Sequence, residues 1–186
     1  MIITSVAHGR TQAASDRLAR HLAITSDQTV RVVASNDVVD TSDIAAALLD
    51  VRRFMSLNKR SVVGFRHLTL NPSIRWTDRH AKLAVISVLG ELGAEKSPWI
   101  LVEHRKKRAD GGDIPHFHLV VGQYGADGRA INSKKDFARL EAVARLLESA
   151  FGEAITVGRK PSAVADVLRR MNRNELADRL LAAAAA

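Results

Sequence analysis

The spacing of apolar positions changes repeatedly along the chain, and each change predicts an element. Residues 2–6 read as an opening strand. Over 13–24, Ala14, Leu18, His21 and Leu22 recur at helical spacing. Val30, Val32 and Val33 mark a short strand over 30–33. Thr41-Ser42-Asp43 opens a helix to about residue 57, with Ile44, Leu48, Val51 and Met55 on one stripe. Residues 61–70 return to a period of two, so that Val63, Phe65, His67 and Thr69 share a face, and Asn71-Pro72 ends the run. Thr77 and Asp78 cap a helix that runs through Leu92 and stops at Gly93.

The second half begins with two apolar runs that face each other across a polar connection. Ile100-Leu101-Val102-Glu103-His104 is followed by a Gly-rich stretch over 105–114, and then by Pro115-His116-Phe117-His118-Leu119-Val120-Val121. Asp127-Gly128 marks a turn, and a helix over 134–151 turns Phe137, Leu140, Val143, Ala144 and Leu147 inward. Two short helices, 161–171 and 174–185, close the chain. Strands separated by helices are compatible with a parallel sheet, but the direct return from 104 to 115 points to an antiparallel centre. The expected architecture is α+β: a mainly antiparallel sheet of about five strands, with helices packed on one face and the other left for chemistry. Residues 1–158 would form the main domain and 159–186 a helical extension.

Composition narrows the class. A chain of 186 residues, 46% apolar and only 4% aromatic, can bury a sizeable core made chiefly of aliphatic side chains. The absence of cysteine excludes disulfides and Cys-ligated zinc and fits a reducing, cytoplasmic setting. No apolar run is long enough to span a membrane, and the first residues are too short and uncharged for a signal peptide. The net charge of +8 favours a polyanionic partner. Much of it is clustered, most densely in Arg105-Lys106-Lys107-Arg108, between the two facing apolar runs. Within reach of a substrate phosphate, this run would contact it; as a plain loop it would only aid solubility.

The candidate chemistry is a histidine cluster. His116 and His118 are two apart on a strand, so their side chains point to one face roughly 7 Å apart. If the facing runs pair antiparallel, His104 lies beside them. Three histidines without a fourth protein ligand leave open positions, as in a catalytic rather than a structural metal site. Asp110 or Asp113, in the connection, could orient a ligand imidazole through its other ring nitrogen.

Residues 102–121, from Val102-Glu103-His104 to Pro115-His116-Phe117-His118, resemble the third motif of plasmid relaxases, the mobilisation nucleases of the HUH class (His, hydrophobic residue, His). Upstream, Phe65-Arg66-His67-Leu68-Thr69-Leu70-Asn71-Pro72 is similar to that family's second motif, a strand ending near the DNA. The resemblance implies that His104, His116 and His118 hold one divalent metal ion (Mg, Mn or Zn), and that the metal polarises a scissile phosphate. It implies single-stranded DNA at a transfer origin as partner, together with other mobilisation proteins. His67 and Thr69 would contact the DNA if their face is the metal side; on the helix side His67 would be a core histidine.

The chain departs from the family in its nucleophile. Most relaxases place a tyrosine in the first 30 or so residues, whereas the one tyrosine here, Tyr124, follows the histidine strand in Gly122-Gln123-Tyr124-Gly125-Ala126-Asp127-Gly128, which reads as a hairpin turn. His21, on the first helix, occupies the region where the family keeps its nucleophile. A neutral imidazole can attack phosphorus and leave a phosphoramidate. Its competing role is that of a packed helix histidine, and that of Tyr124 is packing on the sheet. Arg75 beside Trp76 suggests a base-stacking aromatic, while Trp99, opening a central strand, suits the core. Two other functions compete with a metal-dependent DNA strand transferase. One is a non-cleaving DNA-binding accessory protein with the same fold and metal. The other is a cupin-like metalloenzyme, which wants a Glu shortly after the second histidine, where Val120-Val121-Gly122-Gln123 has none.

Overall fold

The computed structural model describes all residues except Arg10, Asp27, 59–61 and 107–114, and only the backbone of Lys106. Five strands, Ile2–His8 (β1), Gln28–Asn36 (β2), Phe65–Asn71 (β3), Trp99–Lys106 (β4) and His116–Gly122 (β5), form one sheet in the order β1-β3-β5-β4-β2. Every pairing is antiparallel. The β4–β5 hairpin is therefore central, and the two N-terminal strands lie at opposite edges.

Strand alternation divides the core in two. On one face Leu68, Leu70, Leu101, Phe117, Leu119 and Val121 pack against helices Asp78–Leu92 (α3) and Asp136–Phe151 (α4). On the other face Phe65, Ile100, Val102 and Val120 lie under Gln12–Ala23 (α1) and Ile44–Arg52 (α2), through Leu18, Leu22, Leu48 and Val51. The expected sheet and helical layer are present. The second face is not bare, however, because α1 and α2 cover part of it and bring helix atoms to the histidines. Pro161–Arg170 (α5) and Asn174–Ala185 (α6) pack through Val164, Leu168, Leu176 and Leu180 with Ala142 of α4.

Local signals explain most boundaries. The Thr77 hydroxyl accepts from the His80 amide at the start of α3, and Gly93 ends that helix in the left-handed conformation at φ 63°. Asp43 caps α2 by accepting from the Ala45 and Ala46 amides. The helix expected to reach residue 57 stops at Arg52 and tightens into a 3-10 turn, Arg53–Leu57, which buries none of its residues. Strand β2 runs past residue 33 to Asn36, with an irregularity between Val32 and Ala34. Phe137 does not turn inward: it is 54% exposed in the first turn of α4, and the buried stripe begins at Leu140. Trp76 is not available for base stacking. It is buried against Phe117, ring centroids 5.6 Å apart, and its indole N–H donates to Glu153 at 2.8 Å. Among the described residues no helix is long and apolar enough to cross a membrane.

Candidate metal centre

Sheet register assembles the cluster. His104 on β4 pairs directly with His116 on β5, and His118 pairs with Val102, two residues before His104. With a side-chain period of two, all three imidazoles stand on the α1 side of the sheet. Each offers a ring nitrogen, and these atoms lie within 4.8 Å of one another. His104 does not end its strand, as its place at the end of the apolar run suggested; β4 continues to Lys106.

His104 and His118 are each held through their other nitrogen. His104 Nε2 lies 2.9 Å from the Leu22 carbonyl oxygen. A carbonyl can only accept, so Nε2 carries the proton and Nδ1 keeps the lone pair. Leu22 belongs to the last turn of α1, where backbone carbonyls lack helical partners. His104 satisfies one of them, and the partial negative charge of that helix end favours a cation nearby. His118 Nδ1 lies 2.8 Å from His67 Nε2, while its own Nε2 is buried with no hydrogen-bond partner. A buried polar atom without a partner is costly, and a lone pair aimed at a bound cation removes that cost. The donor set therefore fits a divalent ion: three imidazoles, with His104 and His118 oriented by Leu22 and His67, and the buried His118 Nε2 otherwise unused.

The electrostatics agree. Burial is the main cause pushing the His118 pKa down to about 2, and His104, His67, His116 and His21 add to it. Burial likewise pushes His67 down to about 4, with His8, His21 and His104 contributing. His104 is lowered by burial, opposed by its bond to Leu22. These rings stay neutral near pH 7, which is the form that binds metals.

The other sequence candidates divide clearly. His21, exposed on the last turn of α1, sets its ring 5.5 Å from His118 and 6.2 Å from His104, between centroids. His67 and Thr69 lie on the side of β3 that faces the histidine cluster, and Thr69 pairs with His118. Tyr124 is not brought to the cluster. It is buried beyond the far end of β5 from His116, in a bridge with Ala130, so the turn is as expected but roughly 20 Å of strand separates it from the histidine cluster. Arg105 is not brought there either. It points to the α3 side and bonds the buried Glu103 carboxylate at 2.8 Å, which also binds Arg31. The Lys106 side chain, Lys107, Arg108, Asp110 and Asp113 lie outside the described residues.

Two contacts in the site were not anticipated from the sequence. The Leu22 carbonyl is a backbone atom that becomes relevant only once α1 docks on the sheet. The proximity of His67 to His118 depends on pairing β3 beside β5, which strand patterns alone do not specify. His8 adds a further imidazole, its ring 5.8 Å from that of His67.

A search of curated proteins finds no match to the chain. A family model described as relaxase, MobA/VirD2-like, nuclease domain matches residues 14–152. That span runs from α1 to the first residue after α4 and contains the three clustered histidines together with His21 and His67. Fold, histidine cluster and family match lead to one conclusion: the chain belongs to the MobA/VirD2-like relaxase nuclease-domain family.

Proposed function

We propose that this domain binds single-stranded DNA at a transfer origin, nicks one phosphodiester and rejoins it in plasmid mobilisation, with His21 as the nucleophile. The observation that carries this reading is the His21 ring beside His118, at the edge of the histidine cluster. A divalent ion held by His104, His116 and His118 would polarise the scissile phosphate and offset the charge that develops on it.

In the proposed step an imidazole nitrogen of His21 attacks phosphorus. An N–P bond forms, the P–O3′ bond breaks, and the 3′ oxygen leaves with a proton as a free hydroxyl. The other ring nitrogen of His21 releases its proton to solvent. Rejoining reverses the sequence, with a 3′ hydroxyl attacking the phosphoramidate. Helix α1 gives His21 a fixed approach, because Leu18 and Leu22 anchor it on the sheet and Leu22 is bonded to His104. Thr69, beside His118 on the same face, would meet the DNA. The positive surplus of the chain supports binding of the strand.

The test is cleavage of an end-labelled origin oligonucleotide in the presence of metal. The wild type should cut at one position, and His21→Ala should bind the strand but lose cleavage by at least 100-fold. Full cleavage by His21→Ala refutes the nucleophile. Binding without cleavage by the wild type favours the non-cleaving accessory protein instead.

A further inference from the structure

We propose that His67 is a positioning residue that sets the ligand tautomer and ring orientation of His118. The inference rests on the metal site just proposed and adds to it a specific partner on the neighbouring strand.

The two orienting partners in the site differ in kind. The Leu22 carbonyl has no proton to give, so it leaves His104 only one tautomer. His67 is an imidazole and can accept or donate through Nε2. The bond between His67 Nε2 and His118 Nδ1, at 2.8 Å, therefore has two proton arrangements. In one, His67 donates, and the proton of His118 sits on its buried Nε2. That arrangement blocks the nitrogen that faces the cluster. In the other, His118 Nδ1–H donates to His67, and the Nε2 lone pair is free for a cation.

Geometry favours the second arrangement once a cation is present. His118 is 4% exposed and its Nε2 has no other partner, so a proton there would be a buried donor without an acceptor. The rings lie nearly parallel, with centroids 5.0 Å apart and planes 29° apart. His67 thus fixes the plane of His118 as well as its proton. Ligand histidines usually gain such support from a carboxylate, a carbonyl or water. Here β3 supplies an imidazole, and among the described residues no carboxylate bonds His118.

The test uses the full chain and three variants. His67→Phe keeps a flat ring but removes the acceptor. His67→Gln puts an amide oxygen close to where Nε2 stood. His116→Ala removes a ligand. Titration calorimetry with Zn²⁺ should show His67→Phe binding about 10–100-fold more weakly than wild type. His67→Gln should recover to within about threefold, a rescue that loss of packing alone would not give. In the Zn²⁺-loaded wild type, ¹⁵N-resolved imidazole spectra should show the His118 proton on Nδ1. Wild-type affinity in His67→Phe, or a His118 proton on Nε2, overturns the proposal. Wild-type affinity in His116→Ala overturns the metal site beneath it, so the two failures are distinct. Should His67→Phe fail to fold, the tautomer spectrum and His67→Gln still decide the matter.

Discussion

Replacing His116 by Ala isolates the metal site from the fold. His104 and His118 are almost fully buried, and each bonds another group, Leu22 and His67 respectively. Truncating either would leave a buried polar group unpaired and mix folding with metal binding. His116 is the better choice because it is half-buried at the first position of β5. Its loss should cost the metal-free protein about 1 kcal/mol, as for a typical single substitution. Its ring stands 5.2 Å from His104 and 4.8 Å from His118, so its removal takes one of the three imidazoles of the cluster. At a free metal concentration of about 100 times Kd, binding stabilises the wild type by about 2.7 kcal/mol. A tenfold weaker site at the same concentration contributes about 1.4 kcal/mol. For a chain of this size each kcal/mol moves Tm by about 2–4 °C. Differential scanning fluorimetry should therefore give a metal-induced shift of about 8 °C in the wild type and about 4 °C or less in His116→Ala. An undiminished shift in the variant would refute the assignment of His116 as a ligand.

Acid should weaken the metal-free protein. His67 and His118 have native pKa values pushed down to about 4 and about 2, whereas unfolded histidine titrates near 6.5. Below pH 6.5 the unfolded chain binds protons that the native state does not, so stability present above that pH is lost as pH falls toward 4. Each such proton contributes up to about 1.4 kcal/mol per pH unit, and urea midpoints at pH 7.5 and 5 that coincide would contradict the neutral, buried pair. Binding of a single-stranded oligonucleotide should weaken steeply with salt. With about four phosphate contacts, raising salt fourfold should cost roughly 50-fold in affinity. Charge reversal of Lys106, Lys107 and Arg108 together should flatten that slope, whereas Arg105→Gln should not, because Arg105 is committed to Glu103. Equal effects from both would mean that the Arg105 pair opens on binding.

Much of the fold was legible because its signals are local. The Thr77 cap, the Gly93 stop and the alternation through residues 65–70 each act within one element. That His104 would lie beside His116 and His118 was also legible, since a direct connection between two apolar runs favours antiparallel pairing. What escaped depends on packing between distant segments. Docking of α1 on the histidine face brings the Leu22 carbonyl to His104, over 82 residues of sequence separation. The position of β3 beside β5 brings His67 to His118 across 51 residues. Arg105 read as part of a basic run, yet strand alternation turns it to the opposite face, where Glu103 holds it. The inward reading of Phe137 failed because helical spacing gives the direction of a stripe but not which of its positions other elements cover.

The most direct test of the central claim is the identity of the covalent adduct. The protein is incubated with metal and a labelled single-stranded origin, digested, and the peptide left on the DNA is mapped. A relaxase that uses the imidazole beside His118 should yield the peptide carrying His21, joined through a phosphoramidate that is labile to acid and stable to base. An acid-stable adduct on Tyr124 would contradict it, as would the absence of any adduct when metal and DNA are both bound.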